Sequence, residues 1–146
     1  MPEFLAKDPD YTRRVRASFD RQTIMGLIGA RLAGVEPGVV EIELPFREDL
    51  CQQHGFFHAG VTSTIADSAG GYAGFSLFPA EASILTVEFK INLLAPVSEG
   101  TVTATATVVS MSKRMAVVRI DVENDGRLVA LAQGTSTIVP PRPPAS

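Results

Sequence analysis

The 146-residue sequence predicts an α+β fold in which a long, curved antiparallel sheet wraps around one central helix. One stretch, residues 58–77, places Val61, Ile65, Ala69 and Tyr72 at helical spacings of three and four and is closed by Pro79. The runs after it alternate with period two and are joined by short connections, as antiparallel strands are. The helical stretch is small or apolar on nearly every side, so a sheet curled around it buries the most surface.

The chain begins with an expected helical extension over residues 1–26. Asp8-Pro9 resembles an N-cap with proline at the first helical position, and Tyr11, Val15 and Phe19 form the apolar stripe. Arg13, Arg14 and Arg16 fall elsewhere and read as a solvated basic face. Residues 21–25 suggest a second helical turn. Residues 27–35 and 39–44 are strand-like and are separated by the turn signal Glu36-Pro37-Gly38. A loop over 45–57 leads to the helix.

Beyond the helix, Leu85, Val87, Phe89, Ile91 and Leu93 are expected on one strand face, with Thr86, Glu88, Lys90 and Asn92 on the other. Ala95-Pro96 and Glu99-Gly100 mark a loop. Residues 101–109 set Val102, Ala104, Ala106 and Val108 against Thr101, Thr103, Thr105 and Thr107. Ser112-Lys113-Arg114 is a hairpin tip, 115–122 a strand, Asn124-Asp125-Gly126 a tight turn and 128–139 the last strand. Residues 27–139 thus read as one domain, and the Pro-rich 140–146 as an extended, loose tail.

The central stretch is made of poor helix formers. Gly70, Gly71 and Gly74 each cost about 1 kcal/mol relative to Ala in an exposed helix, so tertiary packing must hold this one. Asp67 is the only formal charge between His58 and Leu77, and a carboxylate there must be paired, solvated or working. His58 and Ala59 begin the helix, where free N–H groups and the positive dipole end can receive an oxyanion. Asp67 lies eight residues beyond Ala59, about 12 Å at 1.5 Å per residue. One small carbonyl cannot touch both, so a bond served by both requires two antiparallel copies of the helix across a two-fold axis.

Composition removes other classes. A net charge of -3 and a pI near 5.3 disfavour nucleic-acid and anionic-membrane partners. The amino terminus has no secretory pattern, and Asp67 interrupts the most apolar stretch, so a soluble cytoplasmic protein is expected. The single cysteine, Cys51, with His54, offers too few ligands for a metal, and no cofactor is expected. No Gly-x-Ser-x-Gly elbow, phosphate loop or dinucleotide fingerprint occurs.

Gln52-Gln53-His54-Gly55-Phe56-Phe57-His58-Ala59-Gly60, with Asp67 nine positions after His58, resembles the phenylacetate-degradation (PaaI-like) branch of the hotdog acyl-CoA thioesterases. The likeness runs from about residue 24 to 139. It implies the hotdog fold, an acyl-CoA substrate and a homo-oligomer, either a dimer or a dimer of dimers. It further implies that Asp67 attacks the thioester carbonyl or activates a water, that Gln52 donates to the carbonyl or positions water, that the Ala59 N–H polarises the carbonyl oxygen, and that Thr86 orients the water. Gln52 and Ala59 would come from one subunit, Asp67 and Thr86 from the other. Relatives read His-Gly-Gly where this chain reads His-Ala-Gly; a backbone donor needs no glycine, so the change bears on acyl shape.

Each assignment has a plainer counterpart. His58 is either catalytic or a helix-starting structural residue, and Gln52 and Thr86 alone could be scaffold. Asp67 could cap polar neighbours such as Ser63 and Ser68. Gly60, His54, Phe57, Lys113 and Arg114 are candidates for binding substrate, the last two through coenzyme A phosphates, or else a solvated hairpin tip. Phe56, Phe57, Tyr72, Phe75 and Phe78 permit an aromatic or medium-chain acyl pocket, or are core. A non-catalytic acyl-CoA-binding hotdog and a hotdog hydratase or dehydratase are the alternative functions.

Overall fold

Alternation of apolar and polar residues builds the sheet in this computed structural model, which describes residues 3–140. The expected tail at 141–146 lies outside them. Six strands, β1 (Arg31–Glu36), β2 (Val39–Pro45), β3 (Ser83–Leu93), β4 (Thr101–Met111), β5 (Met115–Asn124) and β6 (Arg127–Val139), form one antiparallel sheet in the order β1-β2-β4-β5-β6-β3. Val40, Ile42 and Leu44 of β2, Val102, Ala104 and Ala106 of β4, and Ile120 and Val122 of β5 are sealed from solvent. The threonines of β4 face the other way, as the alternation requires. Asp125 and Gly126 close the β5–β6 hairpin, both with positive φ, as a type I′ turn demands.

The central helix α3 (Ala59–Phe75) packs against β2, β3, β4, β5 and β6, which is the hotdog architecture. Its glycines explain how closely it lies. A Cβ on Gly70 would come within 2.9 Å of Val118 Cγ2, and one on Gly74 within 3.0 Å of the Ala116 Cβ. Helix and sheet therefore meet at a separation only a missing side chain permits, and the helix propensity lost there is the cost of that contact. At its far end Ser76 Oγ accepts from Gly38 N at 2.8 Å and donates to Ala73 O at 2.7 Å, tying the β1–β2 turn to the helix end.

The N-terminal helices α1 (Tyr11–Asp20) and α2 (Thr23–Ile28) depart from expectation in three ways. Leu27 and Ile28 belong to α2, because Gly29 at φ 81° ends that helix with its N–H on Met25 O, and β1 begins only at Arg31. Asp8 is not the cap of α1, which starts at Tyr11; its carboxylate instead accepts from Asp10 N and meets Arg14. Arg14 is not solvated, since only 16% of its side chain is exposed. Its Nη2 donates to Phe75 O and Phe78 O and its Nη1 to Pro79 O, at 2.8–3.0 Å, so it caps the carbonyl end of α3. The guanidinium also lies 4.2 Å from the centre of the Phe75 ring. Its Nε is 3.0 Å from Asp8 Oδ2, off the hydrogen-bonding direction. Burial lowers its pKa, opposed first by the charge of Asp8 and then by that of Glu81.

A bulge in β3 corrects the expected alternation. Thr86 pairs with Ser136 and Glu88 with Thr135, leaving Val87 as the extra residue. Before it, Ile84 and Thr86 turn toward α3; after it, Phe89 and Ile91 do. Leu85 and Val87, expected on the face of Phe89, are instead 61% and 57% exposed.

Arg14→Met should lower stability by about 3 kcal/mol, because it leaves the buried Asp8 carboxylate without its cation and takes the guanidinium donors from the carbonyls of Phe75, Phe78 and Pro79. Arg13→Met, at an exposed pair with Asp10, should change it by no more than about 0.5 kcal/mol. Urea unfolding of both variants measures the difference, and equal midpoints would disprove the cap.

Candidate active site

The loop before α3 folds on itself before the helix begins. Gln52 N donates to Phe56 O, Gly55 at φ 82° turns the chain, and Cys51 bridges Phe57. Phe57 N donates to Val97 O and His58 N to Leu50 O, which fixes where the helix starts. The Gln52 side-chain oxygen accepts from His54 N. An amide nitrogen cannot accept, so Gln52 Nε2 is the atom left to donate outward.

His58 is the N-cap of α3, and its Nδ1 accepts from Gly60 N at 2.8 Å. The ring is therefore neutral with its proton on Nε2. Gly60 has no room for a side chain, since a Cβ there would lie 2.9 Å from that Nδ1. The His-x-Gly spacing thus has a mechanical origin. Gly60 N is used by the cap and Val61 N by His58 O, leaving the Ala59 N–H without a partner among the described residues. It sits at the positive end of the helix dipole, aimed out of the helix.

Asp67 is half-buried in the middle of α3, not enclosed. Thr86 Oγ1 donates to its Oδ1 at 2.8 Å, so Thr86 holds the carboxylate itself. The bulge at Val87 makes this contact compatible with Phe89 also facing the helix.

In one chain these groups do not share a space. Gln52, His58 and Ala59 border a hollow of about 430 Å³ closed by Phe57 and Leu94. Asp67 and Thr86 border another, of about 450 Å³, with Gly71 and Phe75. Phe57 is buried and stacked on Phe46 at 5.0 Å, so it is a wall of the first hollow anchored in the core. His54 is exposed on the loop, and Lys113 and Arg114 are exposed at the β4–β5 tip; none of the three lines either hollow. Partial burial, then the charges of Glu48 and Asp49, raise the Cys51 pKa, away from the thiolate a nucleophile needs. No cluster of three or more His, Cys, Asp or Glu side chains able to hold a metal occurs among the described residues.

Sequence reasoning passed over Gln22, and Ser18 with it. Gln22 Nε2 donates to Tyr72 OH at 2.8 Å, Ser18 Oγ lies 3.1 Å from the same hydroxyl, and Ser68 Oγ donates to Gln22 Oε1 at 3.3 Å. These residues border the Asp67 hollow. The signal available was weak: Ser68 and Tyr72 share the Asp67 side of α3, and polar groups there need partners.

Comparison with known proteins follows the same outline. The thioesterase superfamily profile matches residues 54–131, just over half of the chain. A crystal structure of a thioesterase family protein from Silicibacter pomeroyi is 43% identical, covers 88% of this chain and 98% of its own, and superposes with a TM-score of 0.83. The PaaI protein from the phenylacetic acid degradation operon of E. coli, 23% identical over 89% of this chain and 94% of its own, shares the fold at a TM-score of 0.83. A 1,4-dihydroxy-2-naphthoyl-CoA hydrolase from Listeria monocytogenes is 29% identical over 69% of this chain and 85% of its own length. The helix wrapped by its sheet is thus that of a thioester hydrolase, and the chain belongs to the thioesterase superfamily.

Proposed function

We propose that this thioester hydrolase cleaves a small or medium acyl-CoA, aliphatic or aromatic, in the cytoplasm, at a site shared by two copies of the chain. The observation that carries this reading is the course of β3. Its first residues, Ser83 to Thr86, border the Asp67 hollow, and its last, Leu93, borders the Gln52–Ala59 hollow. The strand is an edge of the sheet, and Leu85, Val87 and Leu93 are 56–61% exposed on it. Pairing two such edges antiparallel about a two-fold axis sets the start of one against the end of the other. The acid hollow of one copy then meets the amide hollow of its partner, which resolves the separation of about 12 Å along α3.

In this arrangement the thioester oxygen accepts from the Ala59 N–H and Gln52 Nε2, where negative charge develops. Asp67, held by Thr86, attacks the carbonyl carbon or takes a proton from the water that attacks it. The C–S bond breaks and the sulfur leaves as the coenzyme A thiol; the carboxylic acid leaves directly when water has attacked, or after water hydrolyses the acyl-Asp67 anhydride when the carboxylate has. His58 acts through the cap it forms, keeping the Ala59 amide in place. The Listeria hydrolase acts on a CoA thioester, which supports the same substrate class here. Lys113 and Arg114, remote from both hollows in one chain, remain candidates for the phosphates only through a neighbouring copy.

Asp67→Ala should fold normally and lose about 10²–10⁴ in kcat, measured as thiol release from acyl-CoAs. Mixing unfolded Asp67→Ala and Gln52→Ala chains and refolding them together should restore about a quarter of wild-type activity, since half of the dimers carry one intact site of two. No recovery on mixing would show a site within one chain. Gly60→Ala should displace His58, costing about 1 kcal/mol of stability through the lost cap and lowering kcat more than it raises KM.

A further inference from the structure

One glycine of α3 has no packing reason to be there. Gly70 and Gly74 are required by Val118 and Ala116, but a Cβ on Gly71 would come no nearer than 3.8 Å to any neighbour, Ile84 Cδ1. An alanine would fit and would favour the helix. Gly71 lies one turn beyond Asp67 on the same face and borders the same hollow. What its missing side chain supplies is space beside the reacting carboxylate.

The opposite wall of that hollow is polar and comes from the N-terminal helices. Gln22 spends one N–H on Tyr72 OH and accepts one hydrogen bond from Ser68, which leaves its amide a second N–H and a second lone pair. Arg21 stands on the same rim and forms no ion pair among the described residues. A cavity of about 150 Å³ already admits benzene, so a hollow of about 450 Å³ takes a ring with its substituents. The more open depression on the other side of Asp67 also meets Gln22 but does not include Gly71.

We propose that Gly71 and Gln22 determine which acyl group this enzyme takes. The absent side chain at 71 makes room for a broad acyl body, and the Gln22 amide reads a hydrogen-bonding oxygen at its far end. The assignment rests on the thioesterase reading above and takes the acyl substituent of a carbonyl held at Asp67 to fill this hollow, the one that Gly71 widens. Gln22 is then a specificity residue delivered to the site by the N-terminal helices.

Thiol release from butanoyl-CoA, benzoyl-CoA and its ring-hydroxylated isomers, by wild type, Gly71→Ala and Gln22→Met, tests this. The wild type should favour at least one hydroxylated isomer over benzoyl-CoA by about tenfold in kcat/KM, and Gln22→Met should bring that ratio close to one. Gly71→Ala should raise Tm by roughly 2–4 °C while lowering the benzoyl-to-butanoyl ratio about tenfold. Unchanged ratios in both folded variants, with Asp67-dependent turnover intact, overturn the specificity assignment and leave the thioesterase function standing. If the wild type releases no thiol from any of these esters, both readings fall. Should Gln22→Met fail to fold, the Gly71→Ala ratio alone decides.

Discussion

The close seating of α3 against β5 is the constraint from which the rest of the molecule follows. Gly70 beneath Val118 and Gly74 beneath Ala116 set a helix-to-sheet distance that no larger residue allows. That distance lets one helix of modest propensity be gripped by five strands. It also fixes rotation about the helix axis. With Gly70 and Gly74 turned to β5, Asp67 and Gly71 are turned toward β3, and the His58 cap faces the loop ahead of the helix. The placement of Asp67 and of the capped helix start is thus inherited from packing.

At the amide end the same economy operates on a smaller scale. A neutral imidazole takes the Gly60 N–H and closes the first turn, and its proximity forbids a side chain at 60. What remains unclaimed among the described residues is the Ala59 N–H, at the positive end of the helix dipole. At the acid end, Thr86 reaches Asp67 only because β3 gains a residue at Val87. One irregularity, a histidine in place of the usual small cap, and another, a bulge in an otherwise regular strand, are both spent on aiming single polar atoms.

Much of this was legible in the sequence, for physical reasons that also explain what was not. The period-two runs of β4 and β5 were readable because one face of each is sealed and the other solvated. The Asn124-Asp125-Gly126 turn was readable because its backbone needs positive φ. The bulge was invisible: Leu85, Val87, Phe89 and Ile91 alternate perfectly as letters, and only pairing with β6 shows that the first two face outward. Arg14 resembled its exposed neighbours because burial of a guanidinium depends on carbonyls some sixty residues away. Gln22 escaped for the same reason, its partners lying on α3 at positions 68 and 72. Local patterns report on local structure, and these two side chains do long-range work.

Arg14 and Gln22 belong to the same short arm, and the arm touches the helix at two places. The cationic clamp secures its outer end, while the amide contacts the wall beside Asp67. The arm itself is seated in the core through Val15, Phe19, Met25 and Ile28. Asp67 and Thr86, by contrast, ride on the central helix and on a strand of the sheet. A change in how the arm packs would reshape the wall of the Asp67 hollow while leaving the carboxylate and the capped helix start where they are.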